Sequence, residues 1–284
     1  MVVTIYHIFT GVMLFASLLC FKHAVGRKDR LTFYFTSLVY GLVLEKLTIV
    51  VCHQYTYPAS KYFLTVMGVP IAIGLGWSAV IYTSFETGKT LGFSKKLLPL
   101  FTGAFVLHVD LSMDAIAIRV PFWSWTPPGP WFGVALGNFF GWFSVALLFS
   151  GFFLFFKGKI RNNLITGVLT LLFSNLTLII FLKIWLLVTG TTASEVILLI
   201  TVFITSGSVL VWKGKIQPKK TEWELLGSLS TFHIFFISVL FYFGFFREYP
   251  LLIPLSLLTL SISFFVHFLG RIFDFSVLHS GLRR

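Results

Sequence analysis

Apolar residues run along this chain in nine stretches of roughly membrane-spanning length, separated by short polar links. The stretches cover residues 3–21, 32–52, 63–84, 97–117, 133–156, 164–188, 193–212, 226–246 and 250–270. A bilayer core about 30 Å thick takes about 20 helical residues to cross. The pattern therefore predicts an all-α fold, a polytopic transmembrane helical bundle of about nine spans forming a single integral membrane domain over residues 1–284. The link 247–250 is very short, and Pro250 and Pro254 can bend or delay the last helix, so eight spans plus an interfacial helix is the competing count.

Composition agrees. Hydrophobic residues make up 57% of the chain and charged residues 11%, whereas a soluble domain carries roughly 25% charged residues. Mean hydropathy is +0.91. A net charge of +12 would suggest nucleic acid in a soluble protein, but in a membrane protein the placement of charge matters more than its sum. Seventeen Lys and Arg fall in alternate links or after the last span: Lys22 to Arg30, Lys89 to Lys96, Lys157 to Arg161, Lys213 to Lys220, and Arg271 to Arg284. The intervening links hold three, Lys61, Arg119 and Arg247, with Lys46 and Lys183 inside spans. The positive-inside rule then puts the N-terminus outside and the C-terminus in the cytoplasm of a bacterial or archaeal plasma membrane. No nucleic-acid partner is expected. Cys20 and Cys52 both sit in apolar runs and indicate neither a disulfide framework nor a zinc site, and the first apolar run is long enough to span rather than act as a cleaved leader.

Charge inside a span is costly and therefore informative. Of ten acidic residues, Glu45, Asp110 and Asp114 are placed within spans, all in the outer half; the others, Glu86 among them, fall in links or at span ends. Asp110 and Asp114 are four apart and project from one helix face. Two carboxyls this close in a low dielectric resist double ionisation, so a protonated acid sits beside an anionic base. The structural alternative pairs them with Lys46 or Arg119 to lock helices together. For Glu45 a structural pair with another helix competes with a place in the same site.

The loop 118–132 follows directly, with Trp123, Trp125 and Trp131 among four prolines that forbid a regular helix. Its indoles form either an aromatic belt at the outer interface or a lid stacking on an apolar, unsaturated ligand. Asn138 enters the fifth span beside Gly133, Gly137 and Gly141, a spacing that permits close helix packing, and its amide can donate to a carboxylate. Tyr55 and Tyr57 lie at the same outer surface. Two other motifs fail: Gly88-Lys89-Thr90 lacks the first glycine of a phosphate-binding loop, and Asn175-Leu-Thr177 is a glycosylation triplet inside a span. The histidines show no metal-ligand spacing.

One resemblance is specific. Asp110-x-x-x-Asp114, Trp123-x-Trp125 and Gly133-Val134-x-x-x-Asn138-Phe-x-Gly141-Trp142-Phe143 resemble the carotenoid hydratase family, which includes the membrane hydratases of bacterioruberin and related acyclic carotenoid ends. Glu45, Tyr55-x-Tyr57, Gly68-Val69-Pro70 and Gly76-Trp77 extend the likeness upstream, so that it covers roughly residues 40–145. Ala115, Ala135 and Gly137 depart from the family's Pro, Pro and Ser. The resemblance implies addition of water to a terminal isoprenoid double bond without cofactor or metal. Asp110, Asp114 and Glu45 would be catalytic, and Trp77, Trp123, Trp125, Asn138, Trp142, Tyr55 and Tyr57 would bind substrate.

The residue chemistry agrees with that implication. Hydrating a trisubstituted alkene needs a dry acid to protonate the less substituted carbon, and a base to position water on the resulting tertiary cation. An acidic pair supplies both, and indole faces can add about 2 kcal/mol of cation–π stabilisation when desolvated. The expected partners are a membrane-dissolved carotenoid or prenyl lipid, the bilayer, and other membrane enzymes of isoprenoid metabolism. Two alternatives stand beside it: a hydratase of the prenyl chains of archaeal-type ether lipids, and a proton- or cation-coupled transporter.

Overall fold

A computed structural model describes residues 3–214, 216–217 and 219–272, with the side chains of 270–272 outside that description. Lys215, Asp274, Arg283 and Arg284, which enter the charge and acid patterns, lie outside the described residues, as does the side chain of Arg271. Nine α-helices account for about three quarters of the described residues. They are α1 (Ile5–Ala24), α2 (Lys28–Cys52), α3 (Ile71–Thr90), α4 (Leu98–Ala117), α5 (Leu136–Lys157), α6 (Asn163–Val188), α7 (Thr192–Lys213), α8 (Trp223–Tyr242) and α9 (Leu252–Ile272). Eight of them are long and apolar enough to cross a membrane, so the protein is an all-α polytopic membrane bundle.

The exception, α3, is the central helix. Sixteen of its residues are buried, from Ala72 to Gly88 with few gaps. Protein rather than lipid surrounds it, so Ser78, Thr83, Ser84 and Thr87 are tolerated without lowering the fold's compatibility with the bilayer. The lipid-facing pair α6 and α7 is the reverse, apolar on nearly every side.

The third apolar stretch, expected at 63–84, is corrected to a helix beginning at Ile71. Residues 65–70 instead make a hairpin, β2 (Thr65–Val66) against β3 (Val69–Pro70), turned by Met67 and Gly68, both at positive φ. Pro70 then caps the helix, where its missing N–H costs nothing. The shift carries α3 past Glu86, which becomes a buried intrahelical acid rather than a span-end one. The last helix starts after Pro250, at Leu252, with Pro254 in its first turn; the proline delays the helix without replacing it.

The links group by end. Strand β1 (Tyr55–Thr56) pairs antiparallel with β4 (Ser124–Trp125), Tyr55 opposite Trp125, so the α2–α3 and α4–α5 links meet at one end. At the other end Gln217 N–H donates to Leu91 O, and Lys219 N–H to Thr90 O. These are the ends that charge placement assigns to the outside and the cytoplasm, and are called outer and inner below.

Candidate functional site

Glu45 lies two turns before the outer end of α2. One turn earlier, Gly41 lets α3 approach: a Cβ there would fall 2.5 Å from Trp77 Cβ. That approach brings Trp77 Nε1 to 2.6 Å from Glu45 Oε1. His53 then turns the chain at φ 54, and Tyr55 and Tyr57, two apart on extended backbone, point to one side. Their hydroxyls donate to Glu45 Oε2 at 2.5 and 2.8 Å. Burial and the neighbouring Glu45 carboxyl push both phenols well above their usual range, so they remain donors at neutral pH. Glu45 is thus met by three neutral donors.

Asp110 is 0% exposed and Asp114 3%, on the face of α4 turned to α5. The two helices pack closely because Gly103 has no side chain; a Cβ there would stand 2.8 Å from Phe143 O. In the first turn of α5, Asn138 Nδ2 donates to Asp110 Oδ2 at 2.8 Å and to Asp114 Oδ2 at 2.9 Å. One amide nitrogen with two hydrogens therefore bridges both acids, which holds those oxygens within about 6 Å of each other. Asp110 Oδ1 is buried and has no hydrogen-bond partner among the described residues. Trp123, Trp125 and Glu45 line the same cavity as Asp114, and among the described residues Trp125 Nε1 makes no hydrogen bond.

These groups surround a cavity of about 110 Å³ that is open along part of its boundary. Glu45, Asp114 and Asn138 line it, as do Tyr55, Tyr57, Trp77, Trp123, Trp125 and Trp142. Asp110 stands behind the wall and is joined to it through Asn138. The rings of Trp77 and Trp142 lie 4.3 Å apart at 38°, forming an aromatic side to the cavity. Residues that the sequence did not mark complete it: Phe9 and Met13 of α1, Phe232 of α8, Thr48 and Gln54. In an apolar run such residues look like any others, and only helix packing turns them inward.

Several structural readings are corrected. Arg119 does not pair with the acids; its guanidinium donates to Ala115 O and Phe132 O and stacks 3.5 Å from the Tyr249 ring. Among the described residues no ion pair reaches Asp110, Asp114 or Glu45, Lys46 included. Trp123 is 5% exposed and belongs to the interior rather than to an interfacial belt. The glycines of α5 do not act as one stripe: Gly133 precedes the helix at φ +91, Gly137 seats the Trp185 indole, and Gly141 leaves open space. The scattered histidines also converge, with the His108 and His233 rings 5.3 Å apart away from the acid face of α4.

Comparison with curated proteins and with solved structures yields no match. A family model described as carotenoid biosynthesis protein matches residues 2–206, a span that contains every acid, tyrosine and tryptophan of the site. Matched over well more than half of its length, this membrane protein belongs to the carotenoid biosynthesis protein family.

Proposed function

We propose that the protein adds water to the terminal trisubstituted double bond of an acyclic carotenoid, acting as a cofactor-independent hydratase. The observation that carries this reading is the Asn138 bridge. Two buried carboxyls share one amide donor, have no ion pair among the described residues, and stand at the wall of an aromatic cavity. Such a pair favours holding one proton between its members.

Asp114, the member that faces the cavity, delivers that proton to the less substituted alkene carbon. The π pair forms the new C–H bond and leaves a tertiary cation on the neighbouring carbon. Glu45, opposite and held by three donors, together with the Trp77 and Trp142 faces, stabilises that charge. Water attacks the cation, and the proton it loses returns to the Asp114 carboxylate, closing the cycle. Asp110 acts through Asn138 as the positioning residue that keeps the pair singly charged.

The test is conversion of an acyclic carotenoid in cells making the protein, read as a gain in mass of one water. Asp110→Asn and Asp114→Asn are each expected to remove the product while the protein remains in the membrane. Conversion retained by both variants would overturn the diacid mechanism; no product from the unaltered protein with any isoprenoid would overturn the hydratase reading.

A further inference from the structure

The cavity is too small for a long isoprenoid. A dry apolar cavity of roughly 150 Å³ takes up one benzene, so about 110 Å³ takes an end group of about one isoprene unit. The rest of any long substrate has to leave through the wall.

One part of the wall is built for this. Helices α2 and α6 touch at their inner ends, where a Cβ on Gly167 would stand 2.8 Å from Thr36 Oγ1. Farther out the cavity lies between them, bounded by Thr48 and Cys52 of α2 and Leu178 and Leu182 of α6. At the base of this gap is Gly141 of α5, where an added Cβ meets nothing nearer than Leu182 Cδ2 at 4.0 Å. Outside the gap, Val50, Leu176 and Ile180 are 52%, 59% and 49% exposed, a surface that meets lipid tails.

We infer that the α2–α6 gap is a lateral slot through which a slender, acyclic isoprenoid chain threads from the bilayer, its end group at Asp114 and its remainder held along Thr48, Cys52, Gly141, Leu178 and Leu182. This rests on the proposed reaction for the identity of the occupant. The slot makes an acyclic leading end a condition of entry: a narrow, methyl-branched polyene passes between two helices, and a ring at the leading end does not. The same geometry lets the reaction proceed without taking the bulk of an insoluble chain out of lipid.

Cys52 reports on the slot without any substitution in it. Cys20, the other thiol, is 0% exposed and its Sγ lies 3.2 Å from Thr83 Oγ1 and 3.3 Å from Ser228 Oγ, so Cys20→Ser leaves Cys52 as the one labelled position. The full chain in liposomes is treated with a lipid-soluble maleimide, with and without lycopene in the bilayer. Lycopene is expected to slow labelling of Cys52 by about fivefold or more, as occupancy of a single site requires. It is expected to leave a control thiol, Ile197→Cys on the lipid-exposed flank of α7 in a chain that also carries Cys20→Ser and Cys52→Ser, within about twofold of its unprotected rate. Equal slowing at both thiols, or none at Cys52, would overturn the slot. Because labelling reads occupancy and not turnover, protection without hydrated product removes the hydratase reading alone, and product without protection removes the slot alone.

Discussion

Buried acids sit at both ends of this bundle, and their partners differ in kind. At the inner end Glu86, 2% exposed, meets Arg30 Nε at 3.1 Å and Lys89 Nζ at 2.7 Å. Beside it His23 lies 3.3 Å from Glu222 and 2.7 Å from the Tyr82 hydroxyl. Cations and acids there tie α1, α2, α3 and the start of α8 together. At the outer end Glu45, Asp110 and Asp114 are reached by Tyr, Trp and Asn groups that carry no charge. Burial alone therefore does not separate a reactive carboxyl from a structural one. A cation neutralises an acid and takes up its electrostatic capacity, whereas neutral donors orient it and leave that capacity for a transient positive charge.

Substitutions at the two ends can break this comparison. The largest effect is expected from Asp114→Asn, which keeps shape and removes the transferable proton. Product should fall by about 10³-fold, within the usual range for a lost general acid, with membrane insertion and thermal unfolding little changed. A variant that unfolds instead would make the outer acids structural. Glu45→Gln is expected next, at about 10²-fold in turnover, measured with substrate saturating so that binding does not mask it; unchanged turnover would remove Glu45 from the mechanism.

The inner end should answer the other way. Glu86→Gln leaves the Arg30 guanidinium, 15% exposed in its side chain, without its carboxylate, and should lower stability by about 3 kcal/mol. Product formed per folded molecule should stay within about twofold of normal. Thermal melting in detergent alongside a turnover assay separates the two, and a selective loss of turnover would merge the two ends into one functional system. The smallest effect is expected from Glu224→Gln, whose partner Lys22 is 73% exposed. Solvent screening limits such a pair to under about 1 kcal/mol, so a larger loss would mean that the inner cluster extends to it.

Much of the architecture was legible before any coordinates. Eight of the nine helices begin within a few residues of the apolar stretches that announce them, because a span must match a fixed thickness of hydrocarbon. The third was misplaced at its start because Phe63, Leu64 and Val66 are apolar for a hairpin rather than for a span. All ten residues marked for chemistry lie in or against one cavity. The acids stood out because charge is rare within a span, and the Trp and Pro residues because they crowd one loop. Phe9, Met13, Phe232 and the α2–α6 slot carried no comparable mark, since an apolar residue facing a cavity and one facing lipid look alike in a sequence.

The sequence by itself determined that the chain is a helical membrane protein, which links carry its positive charge, and which few residues bring charge into a span. Those properties follow from local solvation energies and are readable one span at a time. Only the tertiary structure decided that Asn138 joins Asp110 to Asp114, that Tyr55, Tyr57 and Trp77 close on Glu45, and that Glu86 finds its cations at the far end. Partners brought together from separate helices depend on how closely backbones can approach, at Gly41 and Gly103 above all, and that is settled by packing rather than by pattern.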